Sequence, residues 1–327
     1  MKCISKKLSL FILTIMLVSI LTGCSEKQVS MQYDYEYPVT SYKIVPTDQS
    51  EKATSFASYL CVSEADYSED TVVNMDNAIA AGLFNISTGE TMYAKNIHTK
   101  LNPASLTKVM TAIVALKYGE MDMTLTVSKT INDLPYGAST CGLKVGDKLT
   151  LSQALHALLI CSGNDAAIAI AEGISGSIEE FSALMNEEAK RIGATNSYFL
   201  NPHGLTENNH LVTIYDMYLI FNEAIKYDTF TEIIAMQSYQ TQYYDKKDKV
   251  KEMSIKTTNR YLTNEYGEPD KVTVIGGKTG TTNAAGQCLV LLSKDIFGNS
   301  YISIILGASE RALLYSQMTS LLDEIYN

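Results

Sequence analysis

The 327-residue chain is 46% hydrophobic and 19% charged, enough apolar content to bury a sizeable core in one large domain or two small ones. Its formal net charge of −10 argues against nucleic acid as a partner. The cysteines Cys3, Cys24, Cys61, Cys141, Cys161 and Cys288 stand far apart, with no C-x-x-C pair and no histidines at ligand spacing, which argues against a structural zinc site.

Residues 1–23 read as an export leader and are set aside from the fold. Lys2, Lys6 and Lys7 form a positive head, and the apolar stretch Leu8–Leu21 is short for a membrane span. It ends in Leu21-Thr22-Gly23-Cys24, which resembles the lipobox of bacterial lipoproteins. That resemblance implies cleavage before Cys24, acylation of Cys24, and a lipid-anchored protein on the outer face of the bacterial cytoplasmic membrane. An ordinary cleaved signal peptide and an uncleaved anchor are the alternatives. Residues 24–76 are acidic and tyrosine-rich (Tyr33, Tyr35, Tyr37, Tyr42) and lack strand or helix periodicity, as a solvated tether would. Part of Ser55–Val62 suits a short docked helix.

The folded domain is expected over 77–327. Ala78–Asn85 and Glu90–Lys95 flank Ile86-Ser87-Thr88-Gly89, a hairpin signal. Asn102-Pro103 has the form of an N-cap and first helical residue for a helix reaching about Lys117. Thr150-Leu151-Ser152-Gln153 is a capping box opening a helix over Leu151–Ile160, and Asp165–Glu172 is a short Ala-rich helix. Ser177-Ile178-Glu179-Glu180 opens another helix that stops at Gly193, and Thr213–Lys226 is apolar at helical spacing. Val272–Ile275, Cys288–Ser293 and Tyr301–Gly307 read as strands, and Glu310–Tyr326 as a final helix. Strands at both ends with helices between them predict an α+β fold. One antiparallel sheet is built from both chain ends and flanked by helices, with an all-helical lobe inserted in its middle.

Three short motifs follow one another: Ser105-Leu106-Thr107-Lys108, Ser162-Gly163-Asn164 and Lys278-Thr279-Gly280. The first puts a hydroxyl and an amine one helical turn apart. A serine hydroxyl needs an adjacent base, and a lysine can serve once burial or a neighbouring cation has lowered its pKa. The second sits between helices, where short polar side chains can reach a cleft. The third ends a strand, offering a cation and a hydroxyl to a carboxylate beside a glycine that admits a ligand's backbone. Taken singly, these are also what a surface helix pair, a helix cap and a charged strand end look like. In this order and at these separations they are specific.

With their flanks, Asn102–Thr111, Ser162–Ala167, Phe199–Leu205 and Lys278–Gly286, the motifs resemble the low-molecular-mass penicillin-binding proteins, the serine D-alanyl-D-alanine carboxypeptidases of peptidase family S11. The resemblance implies Ser105 as nucleophile, Lys108 as base, Ser162 as proton relay and Asn164 as a substrate ligand. It also implies that Lys278 and Thr279 take the terminal carboxylate, that Gly280 permits close approach, and that the backbone N–H groups of Ser105 and Thr281 form an oxyanion hole. The implied partners are peptidoglycan stem peptides ending in D-Ala-D-Ala and β-lactam antibiotics, and no cofactor is called for.

Two positions depart from the family pattern. Ile275 stands where an aspartate is usual and Thr281 where a ring is usual, which bears on substrate preference more than on reaction type. A class A β-lactamase shares the chemistry but needs an extra glutamate, and no Glu-x-x-Leu-Asn string follows Ser162. A non-catalytic penicillin-binding sensor is the other alternative. His203 reads as structural rather than catalytic, Arg260 as a surface residue or a second carboxylate ligand, and Cys161 and Cys288 as buried free thiols, with a disulfide such as Cys141–Cys161 the alternative.

Overall fold

Strands that must bury both faces carry continuous apolar runs, and such runs at the two ends of this chain come together. The computed structural model describes residues 60–68 and 73–326; the leader, Cys24 and the rest of the expected tether lie outside the described residues. In chain order the first elements are β1 (Tyr67–Ser68), β2 (Ala80–Asn85), β3 (Glu90–Lys95), a 3-10 turn (Ala104–Leu106) and α1 (Thr107–Tyr118). Next come β4 (Thr124–Thr126), β5 (Lys148–Thr150), α2 (Leu151–Ile160), α3 (Asn164–Ser175), α4 (Ile178–Ile192), α5 (Ile214–Ala224) and α6 (Asp228–Ile234). The last are β6 (Ser238–Tyr244), β7 (Val250–Lys256), β8 (Val272–Thr282), β9 (Gly286–Asp295), β10 (Ser300–Ala308) and α7 (Arg311–Asp323).

The main sheet is six-stranded and antiparallel in the order β1-β3-β2-β10-β9-β8, so β10 from the chain end pairs with β2 from its start. Side chains alternate between two cores. Leu83, Leu289, Leu291 and Ile305 pack with Leu314, Met318 and Leu321 of α7, whereas Phe84, Val290, Ile302 and Ile304 belong to the larger core that holds α1 and α5. The ring of Phe84 stacks on Tyr218 of α5 with centroids 4.3 Å apart. The consequence for function is the setting of α1, where every residue from Thr107 to Ala115 is buried. A polar side chain in that stretch must find its partners inside the protein.

The lobe between β3 and β8 is not all-helical as expected. It also carries a four-stranded sheet, β4-β5-β6-β7. Its strands are hard to read: β4 and β5 span three residues each, and β6 and β7 bury little beyond Tyr243, Met253 and Ile255. The capping box is present, with Thr150 Oγ1 accepting from Gln153 N and Gln153 Oε1 accepting from Thr150 N. Ser177 Oγ likewise accepts from Glu180 N, and α4 ends on Gly193 in the left-handed region at φ 93°. Asn102 does not cap its helix; its side-chain amide donates to His210 O at 3.0 Å instead.

The folded domain also starts before Asn77. β1 pairs with β3, Asp66 Oδ1 accepts from Ile97 N, and Met75 is buried. Cys61 is fully buried, its N–H donating to the Tyr218 hydroxyl at 2.8 Å. The acidic composition of this stretch hides how few apolar and backbone groups suffice to dock it. Tyr218→Phe strands that buried N–H and is expected to cost about 1–3 kcal/mol in urea denaturation. An unchanged midpoint would mean that the other contacts alone hold the segment.

Candidate active site

The site is assembled around a strained turn. Ala104, just before Ser105, sits at φ 47°, a left-handed conformation that a non-glycine residue keeps only when its surroundings enforce it. The enforcing segment is 199–210. Gly204, at φ 84°, lies so close that a Cβ there would stand 1.9 Å from Ala104 O. Asn201 Oδ1 accepts from Gly204 N at 2.7 Å, and Thr111 Oγ1 donates to Pro202 O at 2.6 Å. Leu200 N donates to His210 Nδ1, which leaves the ring proton on Nε2 to donate to Thr107 Oγ1 at 2.9 Å. Burial pushes the imidazoles of His203 and His210 down to about 3 and about 4, so both are neutral near pH 7.

Ser105 is half-buried at the head of α1, and Lys108, one turn on, is fully buried. The Lys108 amine lies 2.9 Å from Ser105 Oγ, 2.7 Å from Asn164 Oδ1 and 2.7 Å from His203 O. Burial, and then the cation of Lys278, holds the Lys108 amine well below the usual lysine range. The three contacts suit a neutral amine: two N–H bonds donate to Asn164 Oδ1 and His203 O, and the lone pair accepts the Ser105 O–H. Deprotonating Lys108 therefore turns Ser105 from acceptor to donor. That is the arrangement a general base needs.

The other two motifs close on this pair. Ser162 follows α2 in the left-handed region at φ 62°, buried, with its hydroxyl accepting from Lys278 Nζ at 2.9 Å. Lys278 Nζ also donates to Thr279 O at 2.9 Å, and burial pushes its amine down to about 7. Gly280 is the point of closest approach of β8 to the nucleophile turn: a Cβ there would lie 3.0 Å from Ser105 N and 3.1 Å from Pro103 O. Ile275 is the residue left unpaired where the β8–β9 register shifts. The Thr281 hydroxyl donates to Gln287 Oε1 at 2.7 Å, and the Thr258 and Thr279 hydroxyls share a 2.6 Å hydrogen bond.

These groups line a cleft of about 800 Å³ that includes Ser105, Ser162, Asn164, Thr279, Gly280 and Thr281. Lys108 and Lys278 lie behind its wall. Arg260 lines the cleft in an ion pair with Glu265, and Arg311, at the start of α7, lines it too. Among the described residues no cluster of ligating side chains able to hold a metal is present. A profile of the family described as D-alanyl-D-alanine carboxypeptidase, Peptidase S11, matches residues 68–310. The chain belongs to this family.

Among its S11 relatives are the D-alanyl-D-alanine carboxypeptidases DacF of Bacillus subtilis, 37% identical over 75% of this chain, and DacC of Escherichia coli, 34% identical over 73%. The chain spans 61% and 59% of the length of those two proteins. Against the crystal structure of the Streptomyces K15 DD-transpeptidase it superposes with a TM-score of 0.70 at 29% identity, covering 76% of this chain and 96% of that one.

Of the motif residues, Ser105, Ser162, Asn164, Thr279, Gly280 and Thr281 line one cleft, with the amines of Lys108 and Lys278 bonded to Ser105 and Ser162 from behind it. Three features go beyond what the motifs announced: the Ser162 hydroxyl is held by Lys278, the Asn164 carbonyl serves Lys108 and leaves only its amide for a ligand, and Arg311 lines the cleft with no motif of its own. Because Ser105 is activated only when Lys108 is neutral, its acylation by a serine-directed probe is expected to rise with pH through a pKa below the usual 10.5. Lys108→Arg, charged at every accessible pH, should lose more than about a hundredfold in rate. A flat pH profile, or an arginine variant near the parental rate, would remove Lys108 from this role.

Proposed function

We propose that the protein is a serine DD-carboxypeptidase that removes the terminal D-Ala from peptidoglycan stem peptides through an acyl-serine intermediate, and that β-lactams acylate the same serine. The observation that carries this reading is the buried Lys108 amine 2.9 Å from Ser105 Oγ, with Thr279 lining the same cleft and Lys278 behind its wall. Lys108 takes the Ser105 proton as Oγ attacks the penultimate D-Ala carbonyl. The developing oxyanion is met by the backbone N–H groups of Ser105 and Thr281, brought close by Gly280. Thr279 and the Lys278 cation attract the terminal carboxylate, and the free Asn164 amide donates to the peptide. Ser162 passes its hydroxyl proton to the departing D-Ala amine and takes a proton from the Lys278 ammonium to which it is bonded. Water then cleaves the ester by the reverse proton path.

One observation weighs against β-lactamase turnover. Among the described cleft-lining residues the carboxylate is Glu265, which is paired with Arg260. The nearby Asp165 is buried and takes the N–H groups of Cys141, Gly142 and Leu143. Neither is free to activate a water at a bulky penicilloyl ester. Incubation with a diacyl-L-Lys-D-Ala-D-Ala tripeptide should release D-Ala catalytically, and benzylpenicillin should leave a long-lived stoichiometric adduct. Ser105→Ala should abolish both. Rapid penicillin hydrolysis without D-Ala release would favour a β-lactamase; a tight adduct with neither turnover would favour a sensor.

The same reading includes a lipid anchor at Cys24, on the outer face of the cytoplasmic membrane, supported by the Leu21–Cys24 motif after a charged, apolar leader. Cys24→Ala should release the protein from membranes or leave its precursor unprocessed. Fractionation with metabolic fatty-acid labelling checks this, and unlabelled wild-type protein would dismiss the anchor.

A further inference from the structure

The relay serine is preceded by a cysteine whose surroundings serve a purpose of their own. Cys161 ends α2, and Cys141 lies in the irregular stretch between residue 133 and β5, part of which (Pro135–Ser139) lines the cleft. Both are free thiols and both are partly exposed. The two sulfurs lie within hydrogen-bonding contact of each other. Three features hold them there. The Asp165 carboxylate accepts from the N–H groups of Cys141, Gly142 and Leu143 and from the Cys141 thiol at 3.1 Å, so the loop's position does not depend on the thiol alone. Ser139 donates from its hydroxyl to Cys161 O, and its carbonyl accepts from Asn164 N, so the loop is also fixed on either side of Ser162. Gly163 leaves room for the arrangement: a Cβ there would stand 3.1 Å from Cys141 Sγ and 2.9 Å from Asp165 Oδ1, pressing on both.

We propose that Cys141 and Cys161 are a thiol-oxidation site that closes to a reversible disulfide, tying the cleft-rim loop to the residue before Ser162. The oxidant is a hydroperoxide, with hydrogen peroxide the simplest. The Cys161 thiolate attacks one peroxide oxygen; the O–O bond breaks, and the leaving hydroxide takes the thiol's proton to become water. The resulting sulfenic acid is attacked by Cys141 sulfur, the S–S bond forms, and the displaced hydroxide takes the second proton to become water. Two thiols lose two electrons and two protons, and the peroxide is reduced to two waters. The division of roles follows the environment. The contact with Cys161, then burial and Asp165, hold the Cys141 thiol up, while the contact with Cys141 and the Lys278 cation favour the Cys161 thiolate.

The test uses the full-length chain, reduced, treated with hydrogen peroxide, blocked with N-ethylmaleimide and digested without reductant. The expected product is a peptide pair joined through Cys141 and Cys161, about 2 Da lighter than its two thiol peptides together, and abolished by dithiothreitol. In Cys141→Ser, whose hydroxyl can still donate to Asp165, Cys161 should remain as a sulfenic acid trapped by dimedone. Three results would overturn the proposal: alkylation of both cysteines after peroxide, a bond from either one to another cysteine, or no dimedone adduct at Cys161 in the variant. Mapping of the wild-type protein decides the question even where the variant does not fold.

Discussion

Two lysine side chains, Lys108 and Lys278, are buried in the wall of one cleft, and most of the local architecture answers to that constraint. A buried ammonium group is costly, and two that feel each other are costlier. The protein resolves this by lowering both pKa values and by offering each amine fixed oxygen acceptors: Asn164 and His203 for Lys108, Ser162 and Thr279 for Lys278. The burden on stability and the reactivity of Ser105 have the same origin. A lysine comfortable in its charge would leave the serine hydroxyl inert.

Those acceptors come from widely separated parts of the chain, so something must hold them in place. The backbone does much of it, in conformations that residues do not choose when free. Ala104 and Ser162, each beside or within a motif, are both at positive φ, and each is braced by a neighbouring segment. For Ala104 the brace is 199–210, through Gly204 and Asn201; for Ser162 it is the stretch anchored on Asp165. Neither brace touches the reacting atoms except through the His203 carbonyl. Their contribution is the position of what does.

The sheet supplies the fixed side of the cleft. β8 is the edge strand, paired along its length with β9, and the glycines at its centre let it press against other backbone: Gly276 beneath Ile234 O and Gly280 against the turn that carries Ser105. The S11 fold in this way brings a helix start from the inserted lobe and a strand from the end of the chain into contact across one space.

How much of this was legible beforehand depended on whether a feature is local. Helix limits at Thr150, Ser177, Gly193 and Thr213 could be read because a cap is made by residues three or four apart. The hairpins and the apolar strands of the main sheet were readable for the same kind of reason. The three motifs could be read because their chemistry needs particular side chains at short spacing. The small sheet β4-β5-β6-β7 was not legible, since its strands are short or half-polar and gain their meaning only from pairing with distant partners. A docked segment over Ser55–Val62 could be suspected, but not that Cys61 would bind the Tyr218 hydroxyl, since that partner lies on a distant helix. Which acceptor each buried amine takes, and that Arg311 reaches the same cleft, were decided by tertiary structure alone, because a hydrogen bond across the fold leaves no trace in the spacing of its partners.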